Sequence, residues 1–273
     1  MKKFIQGGVI NLVLAGIIIV NIVPFLYMFL MSFKSTMNVH DISISLDELT
    51  LMQYEKIFAM SDFRRYIFNS FLIAIVAVIL TLALCSLAGY AFAKLKFKGS
   101  EKIFLLVIMT MIVPLEMILV PMFLISKNLG WLNTYWGLIL PLPAIYGALG
   151  VFIMRQAMLD IPADLIDAAK IDGCGNFKIF LRVVLPLVRS SLLALSIFTF
   201  VGSWNNFVWP LVVSTRPEMK TLPVALSTMQ TQYNSDVGLT MACAVINFLP
   251  PFVFYIFMQG KFKEGMALSG MKG

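Results

Sequence analysis

At 273 residues, 60% of them hydrophobic and 13% charged, with a mean hydropathy of +0.90, the chain is too apolar for an ordinary soluble protein, in which roughly a quarter of residues carry charge. Its formal charge of +7 is therefore read by location, as a property of a membrane protein, and not as a nucleic-acid footprint. Cys85, Cys174 and Cys243 lie far apart with no Cys-x-x-Cys pair, which gives no ground for a disulfide framework or a zinc site.

Six stretches are long and apolar enough to cross a bilayer: Val9 to Ser32, Tyr66 to Ala93, Ile103 to Ser126, Asn128 to Met154, Ser190 to Thr215 and Val237 to Gly260. Each exceeds the roughly 20 residues that span about 30 Å of hydrocarbon. The third carries one charge, Glu116. A mid-span carboxylate costs about 3 kcal/mol on insertion scales, whereas each of the segment's fifteen Ile, Leu, Val and Phe residues contributes roughly 0.3 to 0.6 kcal/mol, so insertion wins. The first stretch follows Lys2 and Lys3 as a signal peptide's would, yet it is too long and lacks a small-residue cleavage site, which predicts a retained helix.

With a cytoplasmic N-terminus, fourteen of the 21 basic residues fall in inner segments and seven in outer ones, and the positive-inside rule puts both termini in the cytoplasm. Arg64 and Arg65, beside the second span on its outer side, run against that trend. The division this predicts is residues 1–65 as an N-terminal span with an outer loop, 66–260 as the transmembrane core with an inner loop at 155–189, and 261–273 as a cytoplasmic tail.

Between the spans, the outer segment from Ser43 to Phe63 sets Leu51, Tyr54, Ile57 and Phe58 at near-helical spacing, as suits an interfacial helix or a partner contact. His40, the only histidine, lies in the same loop with no metal ligands or catalytic partners nearby. The inner loop reads DIPADLIDAAKIDGCGNFKIFLRVVLPL from Asp160 to Leu187 and predicts two short helices. Pro162 suits the first turn of one, Asp172 to Gly175 the break, and Asn176 the cap of the other. Helices of about ten residues do not hold alone in water, so they need a partner surface, either the chain's own bundle or another protein. Leu165, Ala168 and Ala169 offer a small-residue face for it.

This loop resembles the EAA loop of bacterial binding-protein-dependent ABC importers. The pattern falls on Asp167, Ala168, Ala169, Asp172, Gly173, Cys174, Phe180, Val183, Leu185 and Pro186, with Asp for Glu, Cys for Ala and Val for Ile. The likeness extends along the chain to the carbohydrate-type permease subunits, of which the maltose system is an example. Shared features are Ser32-Phe33-Lys34, Asn69-Ser70, Ala88-Gly89-Tyr90-Ala91-Phe92, Pro114 with Glu116 and Pro121, Trp204-Asn205-Asn206-Phe207 with Pro210-Leu211, and Lys272-Gly273. The resemblance implies an all-α, six-span type I importer permease in the cytoplasmic (inner) membrane. It implies pairing with a second, non-identical permease, two cytoplasmic ATPase subunits that bind the ATP, and an extracytoplasmic sugar-binding protein. The EAA-like loop would be the coupling helix that docks on an ATPase, with the Lys261 to Gly273 tail reaching toward the ATPase pair.

The chain holds no Gly-x-x-x-x-Gly-Lys-Ser/Thr loop, so the energy of ATP is expected to come from those partners. Polar residues within spans are the candidates for a translocation path, because an unpaired one facing lipid is costly. They are Glu116, Asn205 and Asn206, with Trp204 as an aromatic platform. Glu116 either faces a path or bonds a neighbouring helix, and Trp204 and Trp209 either meet sugar or form an interfacial belt. A competing class, an ion-coupled secondary transporter using Glu116, would show internal repeats, and none is evident.

Overall fold

The computed structural model describes residues 2–34, 49–60, 62–232 and 236–270. His40, with the rest of 35–48 in the first outer loop, and Lys272-Gly273 lie outside the described residues. Among the described ones the chain is almost wholly helical, and its only β pairing is a single bridge between Lys34 and Leu49. The helices are α1 (Lys2–Met31), α2 (Met52–Phe58), α3 (Phe63–Lys94), α4 (Ser100–Met109), α5 (Leu115–Asn128), α6 (Tyr135–Ile139), α7 (Leu142–Leu159), α8 (Ala163–Ile171), α9 (Asn176–Ile179), α10 (Leu185–Leu187), α11 (Arg189–Trp204), α12 (Val208–Val213), α13 (Leu222–Gln232) and α14 (Val237–Gly270).

Four spans are crossed by unbroken or gently jointed helix: Ile10–Met31, Phe63–Lys94, Tyr135–Leu159 and Val237–Gly260. Two more become spans when bent pairs are joined, α4 with α5 at 103° and Asn176–Leu187 with α11 at 80°. The first bend falls at Pro114, one of the two prolines that flank Glu116 in the stretch from Ile103 to Ser126. Proline disfavours the α conformation in the residue before it, and Val113 is accordingly extended, with ψ 113°. A 3₁₀ turn at Thr110–Ile112 tightens the end of α4, and Pro114, itself extended at ψ 144°, precedes α5. Pro121, by contrast, sits inside α5, which continues to Asn128. The fourth span starts at Tyr135 and not at Asn128, and the fifth is interrupted at Asn205–Phe207 between α11 and α12.

The second bend shortens the inner loop. Helix α7 persists to Leu159, α8 follows, and from Asn176 the helical run continues to Leu187, so the loop's second helix leads directly into the approach to α11. Pro186 accounts for the irregular stretch between. It has no N–H to donate, and its ring crowds the carbonyl four residues back. The turn Phe180–Val184 widens to a π-helix just ahead of it.

The chain forms two compact units, 1–64 with 225–250, and 65–224 with 251–273. In the first unit, Asp236 organises the outer segment. Its Oδ1 accepts from the Leu239 N–H at 3.0 Å, capping α14, and from Gln53 Nε2 at 2.9 Å, while Lys56 Nζ lies 3.5 Å from Oδ2. Gln53 and Ile57 are fully buried, and Tyr54 Oη shares a 2.7 Å hydrogen bond with Ser32 Oγ. Helix α2 is thus packed into its unit through one face, and Leu51 and Phe58 remain exposed.

The second unit has two apolar clusters. One joins Cys85, Tyr90, Met154, Met158, Ile161, Ile166, Ile179, Phe180 and Leu195, and the other Ile73, Ala77, Leu138, Leu142, Trp209 and Val213. Helices α3 and α7 meet closely at glycines. A Cβ on Gly89 would stand 2.7 Å from Met154 Cβ, and one on Gly150 would stand 2.6 Å from Cys85 Sγ.

Candidate coupling site and polar span residues

The inner loop is built from α8 outward. Pro162 is extended at ψ 138° and stands before the helix rather than in its first turn, and Asp164 lies in that first turn, where the helix dipole favours an anion. The helix ends where Gly173 adopts φ +75°, a left-handed conformation open to glycine at little cost. There the N–H groups of Asp172, Gly173 and Cys174 donate to the carbonyls of Ala168, Lys170 and Ala169 at 3.0, 2.9 and 3.0 Å. Gly175, extended at ψ 161°, then occupies the cap position of α9, with Asn176 as the first helical residue instead of the cap. Extended Gly175 redirects the chain without an Asn side chain at that place.

The faces of α8 divide by burial. Ile166 and Ala169 turn inward onto Ile161, Ile179, Phe180 and Val184. Leu165, Ala168 and Asp172 are exposed, as is Ile171 at 87%, and so is Phe177 beyond the turn. The expected face of Leu165, Ala168 and Ala169 is therefore split, because Ala169 belongs to the core side. Asp167 is exposed and bonds Lys170 Nζ at 2.9 Å, one turn along. That hydrogen bond and the ammonium charge hold its carboxyl below the usual carboxylate range. Cys174 is half-buried, Phe180 packs on Tyr90 with ring centroids 5.3 Å apart, and Leu185 and Pro186 form the short turn after the π segment.

Beside α8 lies a cavity of about 790 Å³, walled by the α3–α4 connection and by Ala163, Ile166, Asp167 and Lys170. Five basic residues, Lys94, Lys96, Lys98, Arg155 and Lys170, line it against two carboxylates, Glu101 and Asp167, so it is electropositive. Arg155 pairs with Glu101 at 2.6 Å and lies 4.1 Å above the Phe104 ring, and Lys94 Nζ donates to the Ile161 carbonyl at 2.7 Å.

The polar span residues separate into accessible and packed. Glu116 is exposed in the first turn of α5 and has no hydrogen-bond or ion-pair partner among the described residues. Asn205 is exposed at the C-terminus of α11. Trp204 is 1% exposed, edge-on to Phe71 at 4.8 Å and stacked on Phe200 at 6.0 Å, so its ring offers no platform in this conformation. Trp209 is fully buried and donates Nε1–H to the Gly137 carbonyl at 2.9 Å, which excludes it from an interfacial belt here. Asn206 is half-buried and its Oδ1 accepts from the Trp209 N–H at 3.3 Å. Leu119, one turn beyond Glu116, packs in the cluster that holds Trp209, so the breaks at Pro114 and Asn205 flank neighbouring elements.

Residues 85–266 match the family model of the binding-protein-dependent transport system inner membrane component. The chain belongs to this family. It is similar to the arabinooligosaccharides transport system permease protein AraQ of Halalkalibacterium halodurans, 37% identical over 95% of this chain and 94% of the relative. It is also similar to the lactose transport system permease protein LacG of Rhizobium radiobacter, 31% identical over 90% and 89%. Its fold is that of a chain in a bacterial ABC transporter involved in the import of the acidic polysaccharide alginate, at TM-score 0.78, 22% identity and 93% and 96% coverage. An ion-coupled transporter working through Glu116 finds no support in these likenesses. The structure adds three residues to this permease that the motifs did not single out for a role: Lys94, Asn69 and Asn133. Asn133 sits at φ +57°, and its Oδ1 accepts from the N–H groups of Thr215 and Arg216 at 2.8 and 2.9 Å. The one visible signal was an Asn beside a helix-capping Thr, three residues after Gly130, which marks a turn.

Proposed function

We propose that this permease carries a sugar or oligosaccharide across the cytoplasmic membrane by alternating access, powered by ATP bound to separate subunits. In this reading both termini are cytoplasmic, a second, non-identical permease completes the pathway, and an extracytoplasmic sugar-binding protein delivers the substrate. The substrates for which the relatives are named, arabinooligosaccharides and lactose, support a carbohydrate cargo. The absence of a phosphate-binding loop from the sequence supports ATPase partners, with no catalysis of covalent chemistry by this chain.

The observation that carries the reading is the two-faced α8. Its inner face is committed to the bundle through Ile166 and Ala169, and its outer face leaves Leu165, Ala168 and Ile171 exposed beside Asp172. Closure of the nucleotide-bound ATPases would push on that exposed face, and the buried face would pass the motion to α7 and the α9–α11 segment. Along the path, Glu116 and Asn205 are the accessible polar groups. An unpaired carboxylate at membrane depth costs a few kcal/mol against lipid, so Glu116 is assigned to the shared cavity or to the partner permease.

The test is purification of the tagged chain from membranes in mild detergent, with and without Gly173→Pro. Proline fixes φ near −65° and removes the N–H that bonds Lys170, so the turn at φ +75° cannot form. Wild type is expected to bring down an ATPase and a second permease, and the variant the permease alone. Recovery of the wild-type chain without an ATPase sinks the reading.

A further inference from the structure

Helix α3 joins two functional ends of the second unit, and it is mechanically unusual among the spans. It runs 32 residues without interruption, about 48 Å at 1.5 Å per residue, and its span is the only one of the six free of proline.

At one end Asn69 is fully buried. Its Nδ2 donates to the Glu218 carbonyl at 2.9 Å and the Lys220 carbonyl at 3.0 Å, and its Oδ1 accepts from Tyr135 Oη at 2.7 Å. The neighbouring Ser70 Oγ accepts from the Leu222 N–H at 2.8 Å. The loop these groups hold, residues 215–222, is braced again by Asn133, and it presents the side chains of Arg216, Pro217 and Glu218 outward. At the other end Lys94 Nζ grips the carbonyl of Ile161, two residues before α8. A lysine that merely capped its own helix would bond α3's last carbonyls, but this one reaches a different element. Between the ends, α3 and α7 approach closely at Gly89 and Gly150, and α7 runs through Asp160 into Ile161.

We propose that α3 is a strut that couples the loop at 215–222 to the coupling helix α8, with Asn69 and Lys94 as the positioning residues at its two ends. The proposal rests on the reading of α8 as the ATPase-docking helix. Coupling of this kind is reciprocal, so ATP binding to the partner subunits must alter the loop 215–222 as surely as a change imposed on that loop must alter α8.

Reciprocity gives a test that needs no sugar. The purified permease–ATPase complex carries a spin label at Glu218→Cys, with Cys174→Ala removing the one partly exposed native thiol, and the spectrum is recorded before and after ATP, magnesium and vanadate. The parent complex should show a distinct mobile-to-immobile population change. Asn69→Asp, which keeps the acceptor for Tyr135 and loses both donors, and Lys94→Met should each cut that change at least about fivefold. Lys94→Arg, which keeps a donor, should restore it. Because the two residues act in series, the double variant should lose no more than either single. A full response in both singles, or losses that multiply in the double, overturns the strut. A parent chain that recruits no ATPase overturns the importer reading first, and that result is seen in the pull-down before any label is read.

Discussion

Gly89 shows how much of this protein's architecture depends on a missing methyl group. Its ideal Cβ position lies 2.7 Å from Met154 Cβ and 2.9 Å from the Arg155 backbone nitrogen, and the backbone atom cannot swing away as a long side chain can. Gly89→Ala should therefore destabilise the purified permease by about 2 kcal/mol through overpacking. Gly147, in the same contact region but with nothing within 4 Å of its Cβ position, is the control, and Gly147→Ala should be neutral or slightly stabilising in a helix interior. Thermal unfolding of the two detergent-solubilised variants decides the point. Equal melting temperatures would mean that α7 relaxes around the new methyl. Neighbouring Ser86 is buried with Gly89, whereas Ala83 is exposed, so the run of small residues along this helix is a contact over only part of its length.

Among the elements, the bent pair α4–α5 is the one whose geometry a single residue most directly explains. Replacing Pro114 by Ala lifts the restriction on Val113 and lets the helical ladder continue from Thr110 into Leu115. Spin labels at the exposed Leu105 and Leu124 should then move apart as the 103° bend opens. An unchanged distance would assign the bend to packing of α5 on its neighbours. The existence of this break was legible from Pro114, but its size was not, since proline only forbids one local conformation and tertiary contacts choose among the rest. The break in the inner loop was legible for the same kind of reason: Gly173 and Gly175 punctuate it, and α8 ends at Ile171 as read. What escaped was direction. Nothing local distinguishes Ala168 from Ala169, or tells a Trp204 packed on Phe71 and Phe200 from one facing a solute, because burial is decided by packing partners in other elements, such as Ile179 for Ala169 and Phe71 for Trp204.

For the whole molecule, the charge distribution predicts which way the chain faces. The three cysteines make a native probe, since Cys85 and Cys243 are buried and Cys174 is partly accessible in the turn after α8. A membrane-impermeant maleimide should label Cys174 in inside-out vesicles and leave right-side-out vesicles untouched. Labelling of right-side-out vesicles alone would invert the topology and with it the reading of α8. Six apolar stretches made a helical chain of several spans readable in advance, and the bias of basic residues supplies the orientation that this labelling tests. The grouping of 225–250 with the N-terminal segment was not readable, because no composition shift marks it.

The first span has a bearing on how the protein is made. An 18-residue window of α1 buries none of its residues against the rest of the chain. Its membrane affinity is thus a property of the segment itself, available before any later residue has been translated. Such a helix can enter the bilayer as a lone hydrophobic anchor and tether the nascent chain to its site of synthesis, while the bent spans, whose arms are each too short to cross, wait for their neighbours.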